Sequence, residues 1–237
     1  MPPASHTERA AWGRELRRRL RLRPLVKGLM TTLGISAFFV AYFWVLQHPQ
    51  SLPTLMPLTA LDAQISFQPA AVVAYFSLWV YVALAPALLE SDRELVSYGL
   101  AALAISGVGF GIFSLWPTAV PNAGIDWSAH PTIAFLKDVD LAANACPSMH
   151  VAFAVYTGVW LHDLLRAMHS GRALLALNAL WCVLIVYSTV ATRQHVVLDV
   201  LAGALLGAAV VALALACSGR HSGVAIHSAP APRPPSH

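Results

Sequence analysis

Two histidines and one aspartate are the residues of this sequence best suited to do chemistry together. His195 and Asp199 are four positions apart, so on a helix they would share one face. A carboxylate one turn from an imidazole can accept its N–H, which fixes the tautomer and makes the other ring nitrogen more nucleophilic. His150 adds a second imidazole from a separate part of the chain, and imidazole suits general acid–base catalysis. These three residues are predicted to form a catalytic set.

The segment before His150 predicts a helix start. Pro147 and Ser148 have the residue types that precede helices, with Ser148 as the N-cap. His150 would then lie in the first turn, beside backbone N–H groups that have no intrahelical acceptor and beside the positive end of the helix dipole. Such a helix start binds anions, so the sequence indicates an anion site next to the histidine.

Composition predicts that these residues are carried by membrane helices. Apolar residues make up 57% of the 237 residues and charged residues only 11%, whereas soluble domains carry roughly 25% charged residues. Six stretches are long and apolar enough to cross a bilayer. The fold class is therefore predicted to be all-α, a polytopic bundle of about six transmembrane helices at residues 29–46, 70–89, 96–115, 149–165, 173–191 and 195–217.

Basic residues predict the orientation of the bundle. With the N-terminus in the cytoplasm, six spans place 13 of the 15 Lys and Arg residues inside, as the positive-inside rule requires. The basic segment 1–27 is therefore expected to be cytoplasmic and to set topology rather than bind nucleic acid. No cleavage site follows the first span, which favours an uncleaved anchor over a signal peptide. The membrane domain is expected at 28–217, followed by a disordered cytoplasmic tail at 218–237.

This topology brings the two chemically interesting segments to one face. The fourth span begins outside, and the connection between the fifth and sixth spans also lies outside. His150 and His195 are therefore expected at the same depth of the extracytoplasmic face. An acidic residue inside a span, such as Asp199, is costly and by default functional.

These segments resemble a known family. Ser148-x-His150 and Ser188-x6-His195-x3-Asp199 resemble the second and third signature motifs of the type 2 phosphatidic acid phosphatase superfamily. The stretch STVATRQHVVLDVLAG, from Ser188 to Gly203, is most similar to the branch that contains inositol phosphorylceramide synthase, which residues 116–121 and 61–67 also resemble. The similarity extends over about residues 55–210, but only the two histidine motifs are specific.

The resemblance implies a mechanism and a substrate. His195 would attack phosphorus and form a phosphohistidine, Asp199 would orient it, and His150 would protonate the leaving oxygen. Ser148 and the helix-start N–H groups would hold phosphate oxygens. The expected partners are a lipid phosphate substrate and membrane lipids, with no cofactor, metal or nucleic acid, in a bacterial inner membrane.

The sequence departs from the family at three places. The usual Gly between Ser148 and His150 is Met149, the usual Arg after Ser188 is Thr189, and the first motif, which begins with a Lys, is absent. Arg193 is proposed to supply the missing phosphate-binding cation, although it could equally be an interfacial anchor. Lys137 is a second candidate. These departures favour the transferase-like branch over ordinary phosphatases.

Several alternatives stay open at this point. Ser148 could be the nucleophile of an intramembrane serine hydrolase with His195 and Asp199 as its base pair, or the histidines could bind haem or a metal without catalysis. Within the phosphate hypothesis, water could accept the phosphoryl group, giving a phosphatase, or a lipid hydroxyl could accept a phospho-alcohol head group, giving a transferase. The three separated cysteines predict no disulfide framework. Asp62 is expected to cap a loop, and close helix packing is expected at Gly107, Gly109 and Gly111.

Overall fold

The computed structural model describes residues 6–134 and 144–217, and it shows an all-α membrane-type bundle, as predicted. Lys137 and the tail 218–237 lie outside the described residues. Nine α-helices are present in the described part of the chain. They are α1 His6–Arg21, α2 Pro24–Gln47, α3 Ala60–Gln64, α4 Val72–Phe76, α5 Leu78–Leu88, α6 Asp92–Leu115, α7 Met149–Ala167, α8 Arg172–Ala191 and α9 Val197–Cys217. Two short strands, β1 Thr54–Leu55 and β2 Thr118–Ala119, pair in parallel.

Five stretches of the described residues are long and apolar enough to cross a membrane. They are Pro24–Gln47, Pro69–Leu88, Asp92–Leu115, Arg172–Ala191 and Val197–Cys217. The remaining predicted span corresponds to α7, which has 19 residues but is less apolar because it carries two histidines, an aspartate and an arginine. Its polarity is tolerated because most of its side chains are buried by protein rather than exposed to lipid.

Helix α7 is the centre of the bundle. It packs against α5, α6, α8 and α9, and Tyr156, Trp160 and Leu164 on it are almost completely buried. The polar groups of this core are paired: the Tyr156 hydroxyl donates to the backbone oxygen of Tyr98 at 2.7 Å. The Asn178 amide on α8 likewise accepts from Tyr81 at 2.7 Å and donates to the Gly158 carbonyl at 2.9 Å. Buried polar groups that are paired in this way fix the helix register.

Helices α7 and α9 approach each other at two glycines, Gly203 and Gly207. A Cβ atom at these positions would lie 2.3 Å from the backbone oxygens of Ser148 and Ala152, respectively. Small residues four positions apart let helix backbones pack directly in membranes. This contact places the start of α9 beside the start of α7.

The glycines predicted to mediate close packing on α6 behave differently. Gly109 does face another helix, since a Cβ atom there would lie 2.2 Å from the sulfur of Met149. The prediction is wrong for Gly107 and Gly111, which have no such neighbour within 4 Å. Helical periodicity explains the difference, because residues two apart on a helix point in different directions.

The basic N-terminal segment and the connection between α5 and α6 meet at one end of the bundle. Arg18 and Arg19 pair with Glu90, and Lys27 donates to the backbone oxygens of Arg19 and Ala87 at 2.8 and 2.9 Å. The predicted topology requires these two segments to lie on one side of the membrane, and the contacts agree with that requirement.

Loop segments at the other end position the beginning of α7. Strands β1 and β2 join the loop after α2 to the loop after α6. Thr118 in β2 then accepts from the N–H of Ala145 at 3.0 Å through its carbonyl, and from the N–H of Cys146 at 2.8 Å through its hydroxyl. The chain therefore enters α7 along a fixed path.

The close approach of α7 and α9 generates a stability prediction. Gly207→Ala is expected to lower the free energy of unfolding by about 1–3 kcal/mol, because the added carbon overlaps a helix backbone that cannot move aside alone. Gly107→Ala is the matched control, since nothing lies within 4 Å of its added carbon. Thermal unfolding in detergent micelles measures both, and equal effects of the two substitutions would contradict the proposed helix contact.

Candidate active site

Ser148 begins α7 and ties it to α9. Its side chain accepts from the N–H of Val151 at 3.3 Å, so it is the N-cap that the sequence predicts. Its own N–H donates to the backbone oxygen of Asp199 at 3.0 Å. Because Gly203 leaves room for the Ser148 carbonyl, the first turns of the two helices lie side by side.

The chain turns sharply where α8 ends, and this turn carries His195. The N–H of Gln194 donates to the Thr189 carbonyl and the N–H of Arg193 to the Val190 carbonyl, at 3.0 and 2.9 Å. This pair of bonds is the Schellman motif, which normally has glycine in the left-handed position. Here Arg193 occupies that position with φ of 59°. The N–H of His195 also donates to Thr189, at 3.0 Å, and completes the turn.

Asp199 reaches back to His195 from the first turn of α9. Its Oδ2 lies 3.5 Å from Nδ1 of His195 and accepts from the N–H of Val196 at 3.0 Å. The last predicted span corresponds to α9, which begins two residues after His195, at Val197. His195 therefore lies in the turn before the helix and not on the helix itself. The two side chains meet because a carboxylate in the first helical turn reaches the residues just before the helix, as in a capping box.

The distance of 3.5 Å between Nδ1 of His195 and Oδ2 of Asp199 is longer than that of a good hydrogen bond. Among the described residues, neither Nδ1 of His195 nor Oδ1 of Asp199 has a hydrogen-bond partner. A small side-chain rotation would close the contact, and catalytic hydrogen bonds are often long in unliganded enzymes. Because Nδ1 points to the carboxylate, Nε2 is the nitrogen of His195 that can act on a substrate.

His150 lies in the first turn of α7 and is held between aromatic rings. Its ring stacks on Tyr75 with centroids 3.9 Å apart and planes 14° apart, and it meets Trp79 edge-on at 6.2 Å. The ring of His150 also donates a hydrogen bond to the backbone carbonyl of Tyr75. Its Nε2 is buried and has no hydrogen-bond partner among the described residues. The ring orientation is therefore fixed, and one nitrogen is left to exchange a proton.

His150 and His195 line a single cavity of about 600 Å³. The cavity lies among α2, α4, α5, α6 and α7, and its walls are mostly apolar and aromatic. Both predicted histidines therefore line the same cavity, near the starts of α7 and α9, although they belong to different helical segments. Asp199 lies behind His195 and is completely buried.

Arg193 is placed differently from the predicted catalytic residues. Its guanidinium donates to the backbone oxygens of Asp62 and Ile65 at 3.2 and 2.8 Å, and Arg193 does not line the cavity. These bonds offset the cost of its left-handed backbone, about 1–3 kcal/mol. A phosphate-binding role for Arg193 stays a prediction, and its contacts support a positioning role.

Asp62 also forms a hydrogen bond to the turn that carries His195, on the C-terminal side of that residue. It forms a capping box with Thr59 at the start of α3, as the sequence predicts for a loop cap. Its Oδ1 also accepts from the N–H of Val197 at 2.8 Å. Burial opposes ionisation of Asp62, but hydrogen bonds from Thr59 and Val197 outweigh it and hold the pKa of the carboxyl below its ordinary value. The α3 segment therefore clamps the turn on both sides of His195.

Ser148, the other predicted phosphate-binding residue, is fully buried. Its side chain accepts from Val151 and does not line the cavity. Phosphate binding by Ser148 stays a prediction that only a substrate complex can test. Lys137, the second candidate cation, lies outside the described residues.

Sequence reasoning missed several residues of this cavity. Gln194 directly precedes His195 and lines the cavity, as do Asn144, Tyr75 and Trp79. The position of Gln194 between two motif residues was a signal that could have found it. No signal in the sequence pointed to Tyr75, which is one of many aromatic residues in the spans. Among the described residues, no group of three or more His, Cys, Asp or Glu side chains could hold a metal ion.

Comparison with models of known protein families identifies the family to which this chain belongs. The model of the PAP2 superfamily matches residues 93–222, more than half of the chain. The protein therefore belongs to the PAP2 superfamily, whose members are phosphatases and phosphotransferases that act on phosphorylated lipids. The matched region contains His150, His195 and Asp199. No curated protein and no solved structure gave a match.

The hydrogen bonds that Asp62 accepts from Thr59 and Val197 lead to a prediction about stability and turnover. Asp62→Ala would leave the partly buried N–H groups of Thr59 and Val197 without the carboxylate acceptor, so we expect the free energy of unfolding to fall by roughly 1–2 kcal/mol. We also expect slower turnover, because His195 and Asp199 lie directly on either side of the released bond. Chemical denaturation and a phosphate-release assay measure the two effects. Asp126→Ala is the control, since Asp126 accepts from Ser128 within its own turn.

The same carboxylate predicts a pH dependence. The pKa of Asp62 is lowered in the folded protein, so its stabilisation is complete above its ordinary value of 3.8 and is lost only as the pH falls through the lower folded value. The stability difference between wild type and Asp62→Ala should therefore be constant from about pH 5 to pH 8 and shrink below about pH 4. A difference that changes near neutral pH would show that another group is responsible.

Proposed function

We propose that the protein cleaves the phosphoryl group of a phosphorylated membrane lipid through a phosphohistidine on His195. The observation that carries this proposal is the meeting of two imidazoles at one cavity, with a buried carboxylate 3.5 Å behind one of them. His195 is the nucleophile, Asp199 the residue that orients it, and His150 the general acid and base. Membership of the PAP2 superfamily supports this class of reaction.

The first step breaks the bond between phosphorus and the leaving oxygen. The lone pair of His195 Nε2 attacks phosphorus while the Asp199 carboxylate accepts a hydrogen bond from Nδ1–H and stabilises the positive charge that develops on the ring. Protonated His150 Nε2 gives its proton to the leaving oxygen. The products are a neutral alcohol, a phosphohistidine and a neutral His150.

The second step restores the enzyme. His150, now neutral, removes a proton from a hydroxyl, and the hydroxyl oxygen attacks phosphorus as the N–P bond breaks. Water as the acceptor gives a phosphatase, and a lipid hydroxyl gives a transferase. In both cases the same two imidazoles act, with their roles reversed between the steps.

The shape of the cavity supports a lipid substrate. Its lining runs along α2 from Met30 to Phe43, a distance of roughly 20 Å at the rise of an α-helix. The histidines lie at one end and the remaining walls are mostly apolar, so a phosphorylated head and an acyl chain would each meet a suitable surface. A volume of about 600 Å³ is in the ordinary range for ligand pockets.

A finer assignment, to the branch that contains inositol phosphorylceramide synthase, is part of this proposal. It is supported by the resemblance of residues 188–203 and 61–67, and the latter segment contains the Asp62 that clamps the catalytic turn. We further propose that the site faces the extracytoplasmic side of a bacterial inner membrane, since the arginine-rich segment is at the opposite end of the helices.

The serine hydrolase alternative has less support. Its nucleophile would be the Ser148 hydroxyl, which is fully buried and engaged at the helix start. The haem or metal alternative is not favoured by any contact among the described residues. Fluorophosphonate labelling of Ser148 would favour the hydrolase, and inhibition by vanadate would favour phosphoryl transfer.

The proposed mechanism predicts the behaviour of three histidine variants. His195→Ala should lower kcat by more than roughly 10³-fold, and His150→Ala by roughly 10²–10⁴-fold, the contribution of a general acid. His162→Ala is the control, because His162 lies on α7 about 18 Å from His150 and outside the cavity. Reaction with a lipid labelled in its phosphate, stopped in alkali, should show a phosphohistidine that His195→Ala lacks. Wild-type rates in His195→Ala would refute the mechanism.

The cavity predicts that the acyl chain contributes to binding. Purified protein in lipid nanodiscs is expected to act on long-chain lipid phosphates with a kcat/KM at least roughly 100-fold above that for glycerol phosphate, since each buried methylene is worth about 0.8 kcal/mol. Released phosphate and new phospholipid species are followed together, which separates hydrolysis from transfer. Equal kcat/KM for the two substrates would contradict a role of the cavity in chain binding.

A further inference from the structure

Gln194 is a buried amide at the cavity whose polar atoms are both without partners among the described residues. It is only 2% exposed, and it lines the cavity next to His195. Neither its amide oxygen nor its amide nitrogen has a hydrogen-bond partner among the described residues. Burying an amide without hydrogen-bond partners raises the free energy of the folded protein. Such a group either destabilises the fold or forms its hydrogen bonds with a ligand.

A second observation concerns charge. None of the described residues that line the cavity is a lysine or an arginine. The family's usual arginine after Ser188 is Thr189, which is buried and donates to the Val186 carbonyl. The nearby Arg193 directs its guanidinium to Asp62 and Ile65. A phosphoryl group between the two histidines would therefore meet no lysine or arginine among the described residues of the walls.

We infer that Gln194 is a phosphate-binding residue, whose amide N–H donates to a non-bridging oxygen of the substrate while His195 attacks phosphorus. This inference rests on the proposed function and adds a residue to it. The carboxamide offers two donors on a side chain that is already desolvated, so binding a charged oxygen requires no further loss of hydration on the protein side. Its amide oxygen remains available to accept from a hydroxyl of the head group.

The unpartnered state of Gln194 allows a sharp test, because a structural role and a ligand role predict opposite effects. Gln194→Leu removes both polar atoms at similar size. If the Gln194 amide bonds only to the ligand, the thermal stability of Gln194→Leu should equal or exceed that of wild type, because no hydrogen bond within the protein is lost. At the same time, kcat/KM for a lipid phosphate and the affinity for vanadate should each fall roughly 10- to 100-fold, the usual loss for one hydrogen bond to a charged group.

Asn178→Leu is the matched control. Asn178 is also a buried amide, but both of its polar ends are paired, with Tyr81 and with the Gly158 carbonyl. We expect this variant to lose thermal stability while its vanadate affinity stays within about threefold of wild type, a range set by ordinary non-additivity between distant sites. The pair of variants therefore separates loss of a ligand contact from loss of a structural contact.

Gln194→Glu tests the charge of the ligand. The two side chains have nearly the same size, but a carboxylate would repel a phosphoryl oxygen, so vanadate should bind more weakly than to Gln194→Leu.

Phosphohistidine should still form slowly in Gln194→Leu at saturating substrate, whereas His195→Ala forms none. This readout shows that the catalytic turn itself is intact.

The outcomes distinguish this inference from the proposed function. Gln194→Leu with wild-type kcat/KM and vanadate affinity would overturn the role of Gln194 while leaving the phosphohistidine mechanism in place. Gln194→Leu with the stability loss of Asn178→Leu would overturn it as well, in favour of a structural role. A wild-type protein that neither turns over lipid phosphates nor is stabilised by vanadate would overturn both.

Discussion

The backbone contact between α7 and α9 is the constraint on which the site depends. Gly203 lets α9 lie directly on the Ser148 carbonyl, and the Ser148 N–H donates to the Asp199 carbonyl. These two contacts bring the first turns of two helices together although a complete helix, α8, separates them in the chain. His150 and Asp199 each lie in one of these turns, so the spacing of the chemical groups follows from the spacing of the backbones. A side chain at Gly203 would push them apart.

The turn between α8 and α9 carries His195 and is held by a set of hydrogen bonds. Arg193 takes the left-handed position of a Schellman motif, where glycine is the usual residue. Its guanidinium and the Asp62 carboxylate then connect the turn to the α3 segment from two sides. A strained residue that is fixed by its neighbours is common at functional sites. Arg193 thus contributes to the site through geometry, whatever its relation to the phosphate.

The cavity combines this polar end with an apolar interior. His150 is fixed by stacking on Tyr75, and Gln194 adds an amide without a partner among the described residues. Electrostatic interactions are stronger where water is excluded, so a few neutral dipoles can bind a phosphoryl group that would need cations in an exposed site. Under the proposed function, the apolar walls would accept the rest of an amphiphilic substrate. One cavity can therefore orient both ends of a lipid phosphate.

The sequence alone predicted an all-α bundle of membrane-type helices, which the structure shows, and it proposed His150, His195 and Asp199 as the residues that carry the chemistry. Apolar length identifies membrane helices because the bilayer requires it, and the spacing of His195 and Asp199 is short enough for local geometry to keep them together. The N-cap role of Ser148 and the capping role of Asp62 were also local, and both are confirmed. The tertiary structure decided what touches these residues. Tyr75, Gln194 and the clamp of Asp62 on Val197 depend on which helices are neighbours, and hydrophobic periodicity gives the face of a helix without identifying its partner.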